Sequence, residues 1–253
     1  MSVKRWGSGE DSALLLHCTL AKGGAWGPVA RHLKGALTMT APDLLAHGEA
    51  SDHDPAQDFH DQATQEAARH LPEVPTHLIG HSFGATVALR LALDHPARVK
   101  TLTLIEPVLF CAASGPGRAA HDAHVAAMPD ALRKGDAAAA ARIFLSLWGA
   151  APFDTLPPAQ QRDITDRIWI PDACEAALVH DRAGLLPRLP DLHMPTLLLQ
   201  GSASPPVIAE VISCLAGALT NARVQTIPGA AHMAPLTHAP ETAQAIADLL
   251  TRA

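Results

Sequence analysis

Gly80-His81-Ser82-Phe83-Gly84 sets a serine between two glycines, with the apolar run Thr76–Ile79 before it and a helical pattern reaching Leu93 after it. A tight strand-to-helix turn strains the backbone of its central residue, and side chains at the flanking positions would collide with neighbouring backbone. Such a turn lifts the Ser82 hydroxyl clear of the sheet edge, at a helix N-terminus whose free N–H groups favour developing negative charge. The pattern predicts Ser82 as a nucleophile; the plainer alternative is a glycine-rich turn whose serine caps the helix. A serine needs a base, and His232 stands five residues past the expected strand Arg223–Ile227, in the loop Pro228-Gly229-Ala230-Ala231-His232-Met233. If the strands are parallel, this loop leaves the same carboxyl edge of the sheet as Ser82. Position alone separates His232 from the other histidines among the 15 in the chain. His238, expected in the first turn of the last helix, is the lesser candidate.

Short apolar runs alternating with amphipathic helices must position these groups, which predicts an α/β protein with a mainly parallel sheet flanked by helices. The expected strands are Ala13–His17, Leu37–Ala41, Thr76–Ile79, Val99–Ile105, Thr196–Gln200 and Arg223–Ile227. The continuously apolar, β-branched run Val99–Ile105 suits an interior parallel position. The helix after Ser82 is apolar on nearly every side and is expected to be buried. From Pro107 to Met194 no convincing strand occurs, far more chain than a crossover needs. Residues 107–194 are therefore expected to be a helical insertion, with helices Arg118–Met128, Asp136–Trp148, Pro158–Trp169 and Asp172–Asp181. The core domain is expected to comprise residues 1–106 and 195–253 and to end in a helix Leu236–Leu250, its stripe including Leu236, Ala239 and Ile246.

The chain has 253 residues, 48% of them hydrophobic, with 19 Lys and Arg against 25 Asp and Glu. That length supports a dry core without disulfide or metal staples, and the net charge of −6 argues against nucleic-acid or anionic-membrane partners. No apolar run approaches the roughly 18 residues of a membrane span. The N-terminus lacks the apolar stretch of a secretory signal, and the four scattered cysteines read as reduced thiols, so a cytoplasmic location is expected. The pair His121 and His124 has metal-like spacing but reads as two surface histidines on a helix, and no metal or organic cofactor is expected.

These pieces resemble the α/β-hydrolase superfamily over most of the chain. Leu14-Leu15-Leu16-His17-Cys18 matches the oxyanion strand, Ala41-Pro42-Asp43 with His47-Gly48 the following loop, Gly80-His81-Ser82-Phe83-Gly84 the nucleophile elbow, and Gly229 through His232-Met233 the histidine loop. The insertion falls where this family carries its cap. Two departures stand out. Cysteine occupies Cys18 where relatives commonly have glycine, and it reads as a small buried hydrophobe, not a second nucleophile. Gly201-Ser202-Ala203-Ser204 carries no carboxylate where most relatives place the triad acid in a Gly-x-x-Asp arrangement. Glu106, directly after Val99–Ile105, is then the candidate acid. It arrives at the same sheet edge, a buried carboxylate is costly without a partner, and haloalkane dehalogenases of this superfamily take an acid from this strand end. The plainer reading is a glutamate that caps a turn or pairs with a cap arginine.

The resemblance implies a Ser82–His232–Glu106 triad, an oxyanion hole of the Thr19 and Phe83 backbone N–H groups with Leu20 as the alternative donor, and cleavage of an ester, lactone or thioester through an acyl-enzyme. Leu20, Phe144, Trp148, Trp169 and Met233 are expected to shape the pocket for a small acyl substrate. A dehalogenase or epoxide hydrolase is disfavoured, because those relatives have Asp where Ser82 stands and this chain has no tyrosine. Carbon–carbon bond hydrolysis, perhydrolysis, acyl transfer to an alcohol and non-enzymatic ligand binding remain alternatives on the same scaffold, as a monomer or homodimer.

Overall fold

The computed structural model describes residues 2–251. Seven strands form one sheet: β1 (Val3–Trp6), β2 (Asp11–Leu16), β3 (Leu37–Pro42), β4 (Thr76–His81), β5 (Val99–Ile105), β6 (Thr196–Gly201) and β7 (Ala222–Ile227). Their order is β1-β3-β2-β4-β5-β6-β7. Only the β1–β3 pair is antiparallel; the other five pairs are parallel. Strand β1 is an addition to the sequence-based expectation. Its charged centre, Lys4-Arg5, suits an exposed edge and hides the strand from any search for apolar runs.

The central strands are apolar throughout because both their faces are covered. Leu14, Leu16, Leu78, Leu104 and Leu198 point into one apolar cluster. It is closed by α2 (Phe59–Ala68), α3 (Phe83–Asp94) and α10 (Pro206–Ala218). The alternate residues Ala13, Leu15, Ile79, Ile105 and Leu197 face the opposite way, against α1 (Gly27–Leu33) and α12 (Ala239–Leu250). Helix α3, which follows Ser82, is buried on nearly all sides, with Val87, Ala88, Leu91 and Ala92 fully covered.

Between β5 and β6 lie α4 (Pro116–Val125), α5 (Met128–Arg133), α6 (Ala137–Trp148), α7 (Pro158–Thr165), α8 (Ile170–Ala173) and α9 (Glu175–Leu178), with no strand among the described residues. The helices are shorter and more numerous than the four expected. Met128 opens α5 instead of closing α4, α7 stops at Thr165, and the segment around Asp172 is split into α8 and α9. Prolines cause part of this. Pro129 and Pro171 stand in the first turns of α5 and α8, where a missing N–H costs nothing. The expected helix Leu236–Leu250 divides likewise at His238, into α11 (Ala234–Thr237) and α12, with Pro235 and Pro240 each opening a helix. Leu236 therefore leaves the apolar stripe and is 40% exposed.

The insertion is built in two parts. Met128, Ala140, Ala141, Phe153, Ile164 and Ile168 form an apolar cluster of their own. Ile170, Cys174, Leu178, Leu185 and Leu189 instead join the cluster beneath them on the sheet. No described helix is long and apolar enough to cross a membrane.

Candidate active site

Four parallel strands deliver the polar groups to one edge of the sheet. Strand β4 leads into Ser82, whose backbone sits at φ 56° and ψ −119° as it caps α3. The left-handed φ is rare for a side-chain-bearing residue and persists only where the surroundings over-determine it. Here the surroundings are the flanking glycines. A Cβ on Gly80 would lie 2.3 Å from the Gly84 carbonyl oxygen, and one on Gly84 would lie 2.3 Å from that of Leu16. The elbow is thus pressed directly against the end of β2.

His232 Nε2 lies 3.0 Å from Ser82 Oγ, and its Nδ1 lies 3.1 Å from Glu106 Oε2. All three residues are buried, Glu106 completely. Because a carboxylate only accepts, the ring N–H sits on Nδ1 and the Nε2 lone pair faces the serine hydroxyl. Glu106 follows β5 at φ 51°. Its second oxygen, Oε1, accepts from the Gly201 backbone N–H at 2.6 Å and from Ser204 Oγ at 2.7 Å. The segment that lacks the family's acid therefore supplies two donors to the carboxylate that lies beside it. Nothing in the sequence singles out Ser204, because a loop serine carries no local mark of the carboxylate it will meet.

Buried neutral histidines brace the loops around this centre. His81 donates through Nε2 to the His232 carbonyl at 2.8 Å, which holds the histidine loop against the elbow. Burial and the neighbouring His232 ring push its pKa down to about 3. His17 accepts the Leu44 N–H, and His47 accepts the Leu20 N–H at 3.0 Å. Burial lowers these two rings to about 4 and about 3, respectively. Asp43 accepts from Gly23 and Glu49, tying the same loop together. With its N–H held by His47, Leu20 drops out as an oxyanion donor. The amides of Thr19 and Phe83 remain, one on the loop after β2 and the other in the first turn of α3. The Cys18 thiol is buried and burial raises its pKa to about 12, which leaves it inert.

A cavity of about 340 Å³ opens over Ser82. Thr19, Phe144 and Trp148 are in its lining, together with Phe110 and Leu178. The Trp148 ring packs edge-on against His232 with centroids 4.6 Å apart. Three residues expected at the pocket are not in the lining. Leu20 packs against the insertion's own cluster. Trp169 turns away to stack on His53 and meet Phe59 edge-on. Met233 continues the histidine loop, half-buried. His121, expected on the surface, is 8% exposed and lines the cavity, while His124 is exposed.

This sheet order, with a serine elbow after β4 and a histidine loop after β7, is the architecture of one large class of α/β proteins. The chain belongs to the alpha/beta hydrolase family, whose model matches residues 13–245. It is 33% identical over 111 residues to the lipase LipV of Mycobacterium tuberculosis, covering 43% of this chain and 42% of that one. It is 35% identical over 103 residues to the pimeloyl-[acyl-carrier protein] methyl ester esterase of Nitrosomonas europaea, covering 41% of this chain and 39% of that one. The matches thus span about two fifths of the length of these relatives. Among solved structures, ALR0039, a putative alpha/beta hydrolase from Nostoc sp PCC 7120, superposes with a TM-score of 0.77 at 25% identity, covering 99% of this chain and 94% of that one.

Proposed function

We propose that the chain is a serine hydrolase that cleaves a carboxylic ester or a related acyl bond, lactone or thioester, through a Ser82–His232–Glu106 triad. The observation that carries this reading is the unbroken line of contacts from Ser82 Oγ through both nitrogens of His232 to Glu106, beneath a largely apolar cavity. The lipase and methyl ester esterase among its relatives support the same class of bond.

In this mechanism Ser82 Oγ attacks the substrate carbonyl as His232 Nε2 takes its proton. Glu106 holds the imidazole in the required tautomer and stabilises the positive charge it acquires. The negative charge on the former carbonyl oxygen is received by the Thr19 and Phe83 backbone N–H groups, assisted by the α3 N-terminus. The tetrahedral intermediate collapses, the histidinium gives its proton to the leaving alcohol or thiol, and the acyl group stays on Ser82. Water then enters, loses a proton to His232 and attacks the acyl-enzyme, releasing the acid and restoring the serine. Residues 107–194 act as the cap, supplying Phe144 and Trp148 to the acyl pocket.

Labelling with a fluorophosphonate probe, read by peptide mapping, tests the reading together with a panel of p-nitrophenyl esters of graded length. A single adduct on Ser82, absent in Ser82→Ala, accompanied by ester turnover, is expected. Folded protein that neither labels nor turns over any ester would overturn the proposal.

A further inference from the structure

Helix α4 brings a second polar cluster to the cavity wall. Arg118, His121 and Asp122 all line it with Ser82. Arg118 Nε donates to both Asp122 oxygens at 2.8 Å, and its Nη1 donates to the Phe110 carbonyl at 2.6 Å. His121 Nδ1 lies 3.1 Å from Asp122 Oδ1. The carboxylate can only accept, so Nδ1 carries the ring hydrogen. Burial lowers the His121 pKa and so favours the neutral ring, whose lone pair is then on Nε2. Among the described residues that nitrogen has no protein hydrogen-bond partner; it is not one of the sealed-off polar atoms but opens on the cavity, from a side chain otherwise only 7% exposed. The ring is held in place by stacking on Phe110, with centroids 4.2 Å apart. Trp148 packs against it at 5.7 Å and against His232 at 4.6 Å. The free acceptor therefore sits one aromatic ring beyond the candidate triad, on the wall of the same cavity.

We infer that His121 Nε2 accepts a hydrogen bond from the acyl part of the substrate, so that the preferred acyl group carries a hydroxyl or an amide N–H where it extends past Trp148. The inference rests on the acyl-hydrolase reading and narrows it. An acceptor that the bound chain strips of water and leaves unmatched is costly, so a pocket of this kind rewards a donor-bearing chain over its apolar isostere. Carboxylates complete the argument against an anionic chain end. Asp122, Asp172 and Glu175 line the cavity, whereas its one lining arginine, Arg118, is already engaged by Asp122.

The test compares p-nitrophenyl ω-hydroxyhexanoate with p-nitrophenyl heptanoate, in which a methyl replaces the hydroxyl, and with the mono-p-nitrophenyl ester of adipate. The quantity read is the ratio of kcat/KM values within one protein, which cancels any difference in folded fraction. The hydroxy-to-methyl ratio is expected to fall roughly three- to tenfold in His121→Phe, whose ring can keep the stack on Phe110. Asp122→Asn, which removes the anion that fixes the tautomer, should lower it as well and serves as the second variant if His121→Phe does not fold. An unchanged ratio overturns the inference and leaves the hydrolase reading standing. Preference for the adipate ester overturns it in favour of Arg118 as the recognising group. Turnover of none of the three esters would overturn both.

Discussion

Ser204 Oγ donates to Glu106 Oε1 at 2.7 Å, on the carboxylate oxygen that His232 does not use. With the Gly201 N–H on the same oxygen, the carboxylate is held from one side and presents its other oxygen to the imidazole. Removing the charge and removing the brace should therefore have very different effects. Glu106→Gln is expected to lower kcat by about three to four powers of ten, because the amide can neither fix the tautomer nor offset the histidinium charge. Ser204→Ala should cost only about three- to tenfold, since the Gly201 donor remains. Ser204→Thr, which restores the hydroxyl, should recover most of that loss. Ester kinetics on the three variants, with melting temperatures as the check on folding, decide the matter; equal losses in Glu106→Gln and Ser204→Ala would contradict it.

In the proposed triad, the same contact makes the acid movable. Position 204 touches the buried carboxylate, so an aspartate there would place its own oxygens beside those of residue 106. Glu106→Gln combined with Ser204→Asp is expected to turn over ester at least tenfold faster than Glu106→Gln alone. Ser204→Asp in the presence of Glu106 should be slower than the unsubstituted chain, because a second carboxylate against the buried Glu106 disfavours ionisation of both. Additive behaviour of the two substitutions in a double-mutant cycle would show that position 204 does not reach the histidine.

Chain position alone is enough to bring Ser82, Glu106 and His232 together. Each follows a strand of the sheet, and parallel strands deliver all their following loops to one edge. Strand β1 is hidden because its centre is charged, and the break at His238 is hidden because apolar periodicity runs through Pro240 as if it were absent. The pocket was the least legible part. Periodicity shows that Trp169 is covered but not by what, and it turns out to face His53 and Phe59. His121 reads as a surface residue beside Asp122 and His124, yet only Asp122 and His124 are exposed. Which side of a short helix meets a cavity depends on packing between segments far apart in sequence, and no local pattern records it.

Gly84 of the elbow and Gly217 of α10 differ sharply in what a methyl group would meet. On Gly84 it would lie 2.3 Å from the Leu16 oxygen and 2.4 Å from that of His17, so Gly84→Ala must push α3 and Ser82 away from the end of β2. A stability loss of about 1–3 kcal/mol is expected. Turnover should drop about a hundredfold, the usual result of an ångström-scale displacement of a reacting group. On Gly217, exposed near the end of α10, a methyl would meet nothing within 4 Å. Gly217→Ala should instead stabilise the chain by about 0.5–1 kcal/mol and leave turnover alone. Paired thermal melts and ester assays of the two variants check both signs.

Acid should unfold the chain through its buried histidines before it titrates the surface carboxylates. Burial holds His17 and His60 at a pKa of about 4 and His47 and His81 at about 3, against about 6.5 in an unfolded chain. Between those values the unfolded chain binds protons that the folded chain refuses. The stability tied to these rings is fully present above pH 6.5 and is lost as pH falls toward 4 and 3. Each histidine contributes a slope of up to about 1.4 kcal/mol per pH unit, and a domain of ordinary stability has only about 5–15 kcal/mol to lose. The urea midpoint is therefore expected to be flat from pH 8 to 7 and to fall steeply below pH 6, with these four rings bringing up to about four protons to the uptake on unfolding. His47→Gln should reduce that uptake by about one while its side-chain oxygen can still accept the Leu20 N–H. A midpoint that stays level from pH 7 down to pH 5 would show that these rings are not held neutral by the fold.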